Sequence, residues 1–380
     1  MNAKTGETLL KGLAENLFLP TASLSYSNES TNEQYPLASQ SDHTQALDAI
    51  TQLLDKHPML KTSLIAVGHR VVHGGESFSE SVLIDDLVID AIDKTSLMAP
   101  LHNPANLAGI TTAQRAFPHL PHVAVFDTAF FQTLPKHAYM YGLPKRLYKE
   151  HSIRKYGFHG TSHYFVSHRA AKLLGKAIET CNLITAHLGN GCSISAIKNG
   201  KAIDTSLGFT PLEGLVMGTR SGDIDPSLPS YLIEHLNYTA SDVTTMLNKA
   251  SGLLGISGVS NDCRELEAQA ACGDANAQLA LDVFCYRLVK YIGSYMAITG
   301  PLDALVFTGG IGENSALIRN QVIKQLAHMG LALSESANNT IRFGKSGAIN
   351  HPNSLPIFAI ATNEEWVIAK DAYELAGASD

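Results

Sequence analysis

Two short apolar runs in this chain, 183–186 within LITAHLGNG and 304–307 within ALVFTGGIG, each lead into glycines, as Gly189-Asn190-Gly191 and Gly309-Gly310-Ile311-Gly312. A strand-length apolar run bounded by turn residues predicts a buried strand, and similar runs stand at 63–67, 122–126 and 355–360. Between them lie helical patterns, the clearest being Leu281, Phe284, Leu288, Ile292 and Tyr295, which fall on one helix face. Strands alternating with helices predict an α/β layered fold. The polar segment 28–43 (NESTNEQYPLASQSDH) reads as an exposed loop or hairpin connection.

A chain of 380 residues exceeds one ordinary core and predicts about two domains. With 45% apolar and 17% charged residues, it has enough apolar side chain to fold. Acidic residues outnumber basic ones 35 to 28 and no Lys/Arg block occurs, which argues against nucleic acid as a partner. The opening MNAKTGETLLKG has no charged-then-apolar signal pattern, and Asp282, Arg287 and Lys290 interrupt the apolar stretch 279–299. A cytoplasmic protein without a membrane partner is expected. The five cysteines are odd in number and form no C-x-x-C pair, so reduced thiols are expected in place of disulfides or a zinc site.

Glycine after a strand lets backbone N–H groups approach an anion, and a helix beginning near Asn314 would add its positive end. Such glycines also serve as plain tight turns. Neither turn matches the P-loop or the Rossmann fingerprint, so a nucleotide site of another kind is expected. Arg70 in GHRVVHGGE, His102 in APLHNP, His159 in YGFHGTSH and Arg220 in MGTRSGDIDP are flanked by glycine or proline that fixes the local backbone. Arginine forks suit carboxylate and phosphate oxygens, the plainer reading being surface ion pairs. The pairs His69/His73 and His159/His163 have the i, i+4 spacing of a helical metal site, but Gly74, Gly75 and Gly160 argue against chelation. Asp127, after VAVF, is either a carboxylate presented at a strand end or a helix N-cap. Glu364 and Glu365 in TNEEW could reach a magnesium ion or be solvated helix acids.

The ordered blocks HRVVHGG, APLHNP, FDTAFFQTLP, RKYGFHGTSH, HLGNGCSISAIKNGKAIDTSLGFTPLEGLVMGTRSGDIDP, DCRE, FTGGIGENS and TNEEW resemble the acetate kinase family. The resemblance implies an α/β fold of two ribonuclease H-like domains, of the sugar kinase, Hsc70 and actin type, around a central nucleotide cleft. Residues 1–127 with 364–380 would form the N-terminal domain, and 128–363 the nucleotide-binding and dimerising one. It further implies a homodimeric phosphotransferase acting on acetate and ATP, with Mg²⁺ or Mn²⁺, to give acetyl phosphate and ADP. By motif, Asp127, His159, Arg220 and Arg70 would be catalytic, with Arg70 and Arg220 near the acetate carboxylate. Val72, Leu101, Phe158 and Pro211 would surround the methyl, and His102 would also bind substrate. His187, Leu188, Gly189, Asn190 and Gly191, with Gly310, Ile311, Gly312, Glu313 and Asn314, would hold phosphates and nucleotide. Asp262, Cys263 and Arg264 would meet the nucleoside, and Glu364 the Mg²⁺ shell.

The resemblance also implies an opening strand and phosphate loop of the type N-C-G-S-S-S-L-K ahead of MNAKTGETLLKG. Without them an open sheet position beside the strands at 63–67 or 122–126 is expected, and a catalytically impaired nucleotide-binding paralogue is an alternative to an active kinase. Acetate is ionised at neutral pH and needs no general base, so direct in-line transfer by positioning and charge neutralisation is expected. Asp127 would orient water, metal or arginine. One methylene in an apolar pocket is worth only ~1–3 kcal/mol, which keeps a propionate or other short-chain acyl kinase open.

Overall fold

The structure, a computed structural model, describes residues 1–28, 31–100 and 102–377. The chain forms two units, Met1–Ala129 with Asn363–Asp380, and Phe130–Thr362. The division expected from the sequence stands at 127/128 and 363/364.

In the first unit, β1 (Lys11–Glu15), β2 (Ser23–Ser27) and β3 (Asn32–Pro36) form an antiparallel sheet. A second sheet has β4 (Val67–Val71), β5 (Val82–Leu83) and β6 (His122–Phe126) in the order β4-β6-β5, with β4 parallel to β6. No described residue pairs with the outer edge of β4. β6 is buried throughout because both of its faces are covered. Ala124 and Phe126 pack with Val71, Ile92 and Ile110, while Val123 and Val125 meet Ala372 and Ile368 of the helix Glu364–Leu375. A strand covered twice reads as an unbroken apolar run.

In the second unit, β7 (Asn182–Leu188), β8 (Cys192–Lys198), β9 (Lys201–Thr205), β10 (Ala304–Thr308), β11 (Gly347–Ala348) and β12 (Ile357–Ala359) make one sheet in the order β11-β12-β10-β7-β8-β9. β10 lies parallel to both β7 and β12. The helix Gly160–Leu174 lays Val166, Ala170 and Ala171 on Leu183, Ile197 and Val306. The helix Ala275–Thr299 packs on β7 and β8, and its buried residues include Leu281, Phe284, Leu288, Ile292 and Tyr295, the face seen in the sequence.

Two local expectations are corrected. The strand expected at 63–67 runs instead from Val67 to Val71, because its partner β6 sets the register Val67↔His122 to Val71↔Phe126. Part of the segment expected as a loop is β3, where Tyr35 meets Tyr26 at 6.1 Å between ring centroids and Tyr26 Oη donates to Glu33 at 2.7 Å. A strand so polar carries little hydrophobic alternation to read. The helix expected from about Asn314 runs from Ala316 to Gln325, and a separate turn helix, Gly309–Asn314, precedes it directly at the end of β10. All five cysteines are free thiols, and among the described residues no helix is long and apolar enough to cross a membrane.

β4 tolerates the helix Glu364–Leu375 only through Gly68, where a Cβ would lie 2.5 Å from Ile368 Cγ2. Gly68→Ala is expected to cost about 1–3 kcal/mol by overpacking, read as a lower urea midpoint. An unchanged midpoint would show that the helix is not pressed on the strand. Also on β4, His69 Nε2 donates to His122 Nδ1 (2.9 Å), because His122 Nε2–H is spent on the Phe117 carbonyl oxygen (3.1 Å). Burial first, then His122, lowers the His69 pKa to about 4. The unfolded chain takes up this proton near 6.5 and the folded one near 4, so stability present above 6.5 is lost as pH falls toward 4. His69→Asn should flatten that part of the unfolding free-energy profile; a slope unchanged from the parent would contradict the assignment.

Candidate active site

Arg70 projects from β4 and Asp127 follows the last residue of its parallel partner β6. The Asp127 N–H continues the ladder to Val71 O at 3.0 Å, which fixes the carboxylate at the strand end. Arg70 Nε donates to Oδ1 at 3.1 Å and Nη2 to Oδ2 at 2.6 Å, a bidentate fork. Asp127 is therefore a buried anchor for an arginine, and the helix N-cap reading is set aside. The Asp127 side chain is 1% exposed and that of Arg70 46%, so the remaining members of the five guanidinium donors can serve a second anion. Asp127 chiefly, and Glu364 more weakly, raise the Arg70 pKa against the opposing effect of burial. Arg70, Asp127 and Glu364 thus share one electrostatic neighbourhood within this unit.

Glu364 opens the helix Glu364–Leu375, whose N-cap Asn363 accepts from Trp366 N–H at 3.0 Å. Glu365 stands 3.9 Å from Lys11 with both side chains exposed, which matches the plainer surface reading. Val72 is buried, its N–H donating to Asn106 Oδ1 at 3.1 Å. His102 precedes the helix Asn103–Ala116. Leu101 lies outside the described residues.

In the second unit, β7 and β10 are parallel neighbours with His187 opposite Thr308, so both glycine turns leave the sheet side by side. Gly309 has φ +75°, and a Cβ on it would lie 2.7 Å from Leu188 O. Only glycine fits that position without backbone movement. The turn helix Gly309–Asn314 folds back on its origin, with Glu313 Oε1 accepting from Gly309 N–H (3.0 Å) and Thr362 N–H (3.1 Å). At its other end Arg319, fully buried, donates Nη1 to Gly312 O (2.8 Å) and Glu313 O (2.7 Å), Nη2 to Asn338 O (2.6 Å) and Nε to Asn338 Oδ1 (2.7 Å). A cation that satisfies terminal carbonyls complements the helix end. Burial lowers its pKa to about 10, which still leaves it charged at neutral pH. The sequence reading missed Arg319, although it shares a helical face with the buried Val322 and Ile323.

Asn190 clamps the first turn to two others. Its backbone oxygen accepts from Gly218 N–H at 2.9 Å and its Oδ1 from Asn261 Nδ2 at 3.0 Å, next to Asp262. A Cβ on Gly218 would lie 2.0 Å from Asn190 Oδ1, so a side chain there would displace the Asn190 amide. Arg220 and His159 converge on Gly191, where a Cβ would be 3.4 Å from Arg220 Nη1 and 3.5 Å from His159 Nε2. Arg220 Nη1 donates to Pro211 O at 3.2 Å, and burial lowers its pKa. His159 adopts the left-handed conformation (φ 60°, ψ 26°) at the entry to the helix Gly160–Leu174, a strained setting for a non-glycine residue. Its Nδ1 is 2.9 Å from Ser193 Oγ, and its ring centroid 4.5 Å from that of His187. His163, considered above for a metal pair, is bonded to Thr185 and Ser193 instead. Phe158 is buried. Asp262 caps the helix Cys263–Ala271, accepting from Arg264 N–H at 2.8 Å, and pairs with the exposed Arg264 side chain at 2.5 Å, which lowers its pKa. Cys263 is buried behind it. Bare glycine backbone beside an arginine and an imidazole can bind phosphate oxygens.

The family model described as the Acetokinase family matches residues 1–370. The acetate kinase of Shewanella woodyi is 52% identical over 376 residues, covering 99% of this chain and 94% of that protein; the acetate kinase of Shewanella loihica matches to the same extent. Among solved structures, a propionate kinase from Francisella tularensis superposes with TM-score 0.94 at 46% identity, over 99% of this chain and 95% of that one. The acetate kinase of Porphyromonas gingivalis gives 0.91 at 44% identity, over 97% and 94%. These matches support the expected α/β kinase fold.

Replacing Arg319 by methionine keeps an apolar stem but strips the Gly312, Glu313 and Asn338 carbonyls of their donor. An unfolding cost of at least about 2 kcal/mol is expected, since each unmet buried acceptor costs about 1–3 kcal/mol. Denaturant titration within 0.5 kcal/mol of the parent would contradict the role given to this cation; that margin is about the scatter of neutral surface changes.

Proposed function

The chain belongs to the acetokinase family, and from that premise we propose that it transfers the γ-phosphoryl group of ATP to acetate, giving acetyl phosphate and ADP. The observation that carries the reading is the convergence of Arg220 and His159 on the glycine turn at Gly191, beside a second glycine turn from the neighbouring parallel strand. Acetate arrives ionised, so its oxygen attacks phosphorus without a general base, and the phosphoryl passes in line from one oxygen to the other. Arg220 and His159 donate to the equatorial oxygens. Arg70 holds the acceptor carboxylate while Asp127 keeps its guanidinium aimed. Val72, Phe158 and Pro211, with Leu101, bound the methyl, and His102 completes the acceptor site. The turns at 187–191 and 310–314 hold the phosphates, and residues 262–264 the nucleoside. Glu364 suits Mg²⁺ or Mn²⁺, because a nucleotide-bound ion takes one or two carboxylates and fills its shell with water and phosphate. When bound, the ion neutralises phosphate charge.

The likeness to a propionate kinase structure favours a second reading in which propionate is the better acceptor. The helix Leu228–Leu236 has no buried residue and exposes Leu228, Tyr231, Ile233 and Leu236, which supports a homodimer formed through this face. A cytoplasmic location accords with the use of ATP.

Acetate-dependent ADP release, measured against propionate at matched concentrations, tests the proposal. A higher kcat/KM for acetate is expected; a higher value for propionate would assign the second reading. Arg70→Ala and Arg220→Ala should each lower kcat by about 10²-fold or more. Unchanged kcat in both would remove the carboxylate and phosphoryl assignments.

A further inference from the structure

Four side chains of the second unit form one hydrogen-bonded line. Thr185 Oγ1 lies 2.6 Å from His163 Nδ1, and Ser193 Oγ lies 2.7 Å from His163 Nε2 and 2.9 Å from His159 Nδ1. The sheet builds this line. Thr185 on β7 stands opposite Ser195 on β8, so Thr185 and Ser193 point to the same face, the one covered by the helix that carries His163. Thr185, His163 and Ser193 are all fully buried.

Such a line carries one proton per gap, so its closed end decides the sense of the whole. Thr185 is that end: among the described residues its hydroxyl has no partner other than His163 Nδ1. Were it only to accept, its own proton would be buried without an acceptor, which native interiors rarely tolerate. Thr185 therefore donates to Nδ1. A neutral His163 then carries its proton on Nε2 and donates to Ser193, and Ser193 donates its proton to His159 Nδ1. Burial chiefly, with the nearby His187, holds the His163 pKa well below its ordinary value, consistent with a neutral ring.

We propose that Ser193 and His163 are positioning residues that fix His159 as the neutral tautomer, with Nδ1 as acceptor and Nε2–H as the donor offered to the phosphoryl group. Its kinetic consequence rests on the role given to His159 above, whereas the proton order stands on the distances alone. Protonating His159 would place a hydrogen on Nδ1 against the Ser193 hydroxyl proton, so that either the Ser193 or the Thr185 proton is left buried without an acceptor. The groups facing His159 act in the same direction. His187 on β7 and His163 on the helix are imidazoles, and Arg220 from the neighbouring loop is a fixed cation.

The test is a long-range ¹H–¹⁵N correlation spectrum of the full chain with ¹⁵N-histidine, with the His159 signals identified from a His159→Gln sample. The parent is expected to show His159 with a bare Nδ1 and a protonated Nε2 from pH 8 to 6. Ser193→Ala should give mixed His159 tautomers, and Ser193→Thr should restore the parental pattern. A proton on Nδ1 in the parent, an imidazolium at pH 7, or an unaltered His159 spectrum in Ser193→Ala would overturn the proposal. Should Ser193→Ala fail to fold, Thr185→Val removes the deciding donor and should give mixed His159 tautomers; a single parental tautomer there would equally overturn it. In turnover, Ser193→Ala should lower kcat about 10-fold or more with KM for ATP little changed, and Ser193→Thr should recover it. A parent with the expected tautomer but no acetate phosphorylation would count against the kinase reading and leave the proton order standing.

Discussion

The parallel pairing of β7 with β10 is the constraint on which the second unit's chemistry depends. Residues 183–187 and 304–308 lie far apart in sequence, yet their register sets Leu188 and Gly309 so close that no Cβ fits between them. Polar side chains hold those two turns: Asn190 ties the first to Gly218 and Asn261, and Glu313 and Arg319 tie the second to Thr362 and Asn338. The first unit repeats the logic on a smaller scale. β4 and β6 are parallel neighbours, and Arg70 and Asp127 meet at their C-terminal ends. Open α/β sheets present ligands there because the chain must turn at that edge, leaving backbone groups unspent.

Three arginines show how differently one cation can be used. Arg319 is buried without a carboxylate and spends its donors on carbonyls and one amide oxygen, so it is structural. Arg70 spends two donors on Asp127 and keeps a half-exposed fork, so it is aimed but not exhausted. Arg220 makes a hydrogen bond to the Pro211 carbonyl oxygen, and burial lowers its pKa. A partly desolvated guanidinium without a carboxylate partner gains most when a polyanion arrives.

The strands at 122–126 and 304–308 and the long helix Ala275–Thr299 are legible because both faces, or one continuous face, are apolar. β3 was not, since its pairing is backbone-driven and its side chains are largely polar, and β4 was displaced because its register belongs to β6. The glycine turns and the arginines were legible as residue types, and the family resemblance supplied their roles. Ser193, His163, Asn261 and Arg319 were not, because a buried polar residue discloses its purpose only through partners brought in by topology. Thr185 reaches His163 because β7 faces a helix that starts 25 residues earlier at Gly160.

The same topology bears on why a histidine, and a neutral one, should stand beside Arg220. Two cations converging on one glycine turn would repel each other in the absence of substrate, and that repulsion would be strongest in the desolvated setting that makes each effective. A neutral imidazole avoids the cost while still directing an N–H at the charge that develops on phosphoryl oxygens. Its orientation then comes from the hydrogen bond at its Nδ1. The Thr185–His163–Ser193 line supplies that orientation with hydroxyls and a second neutral imidazole, all fully buried and therefore shielded from competing water. A preorganised dipole of this kind needs no reorganisation when the phosphoryl moves, which is the condition under which hydrogen-bond donors contribute most to a transition state.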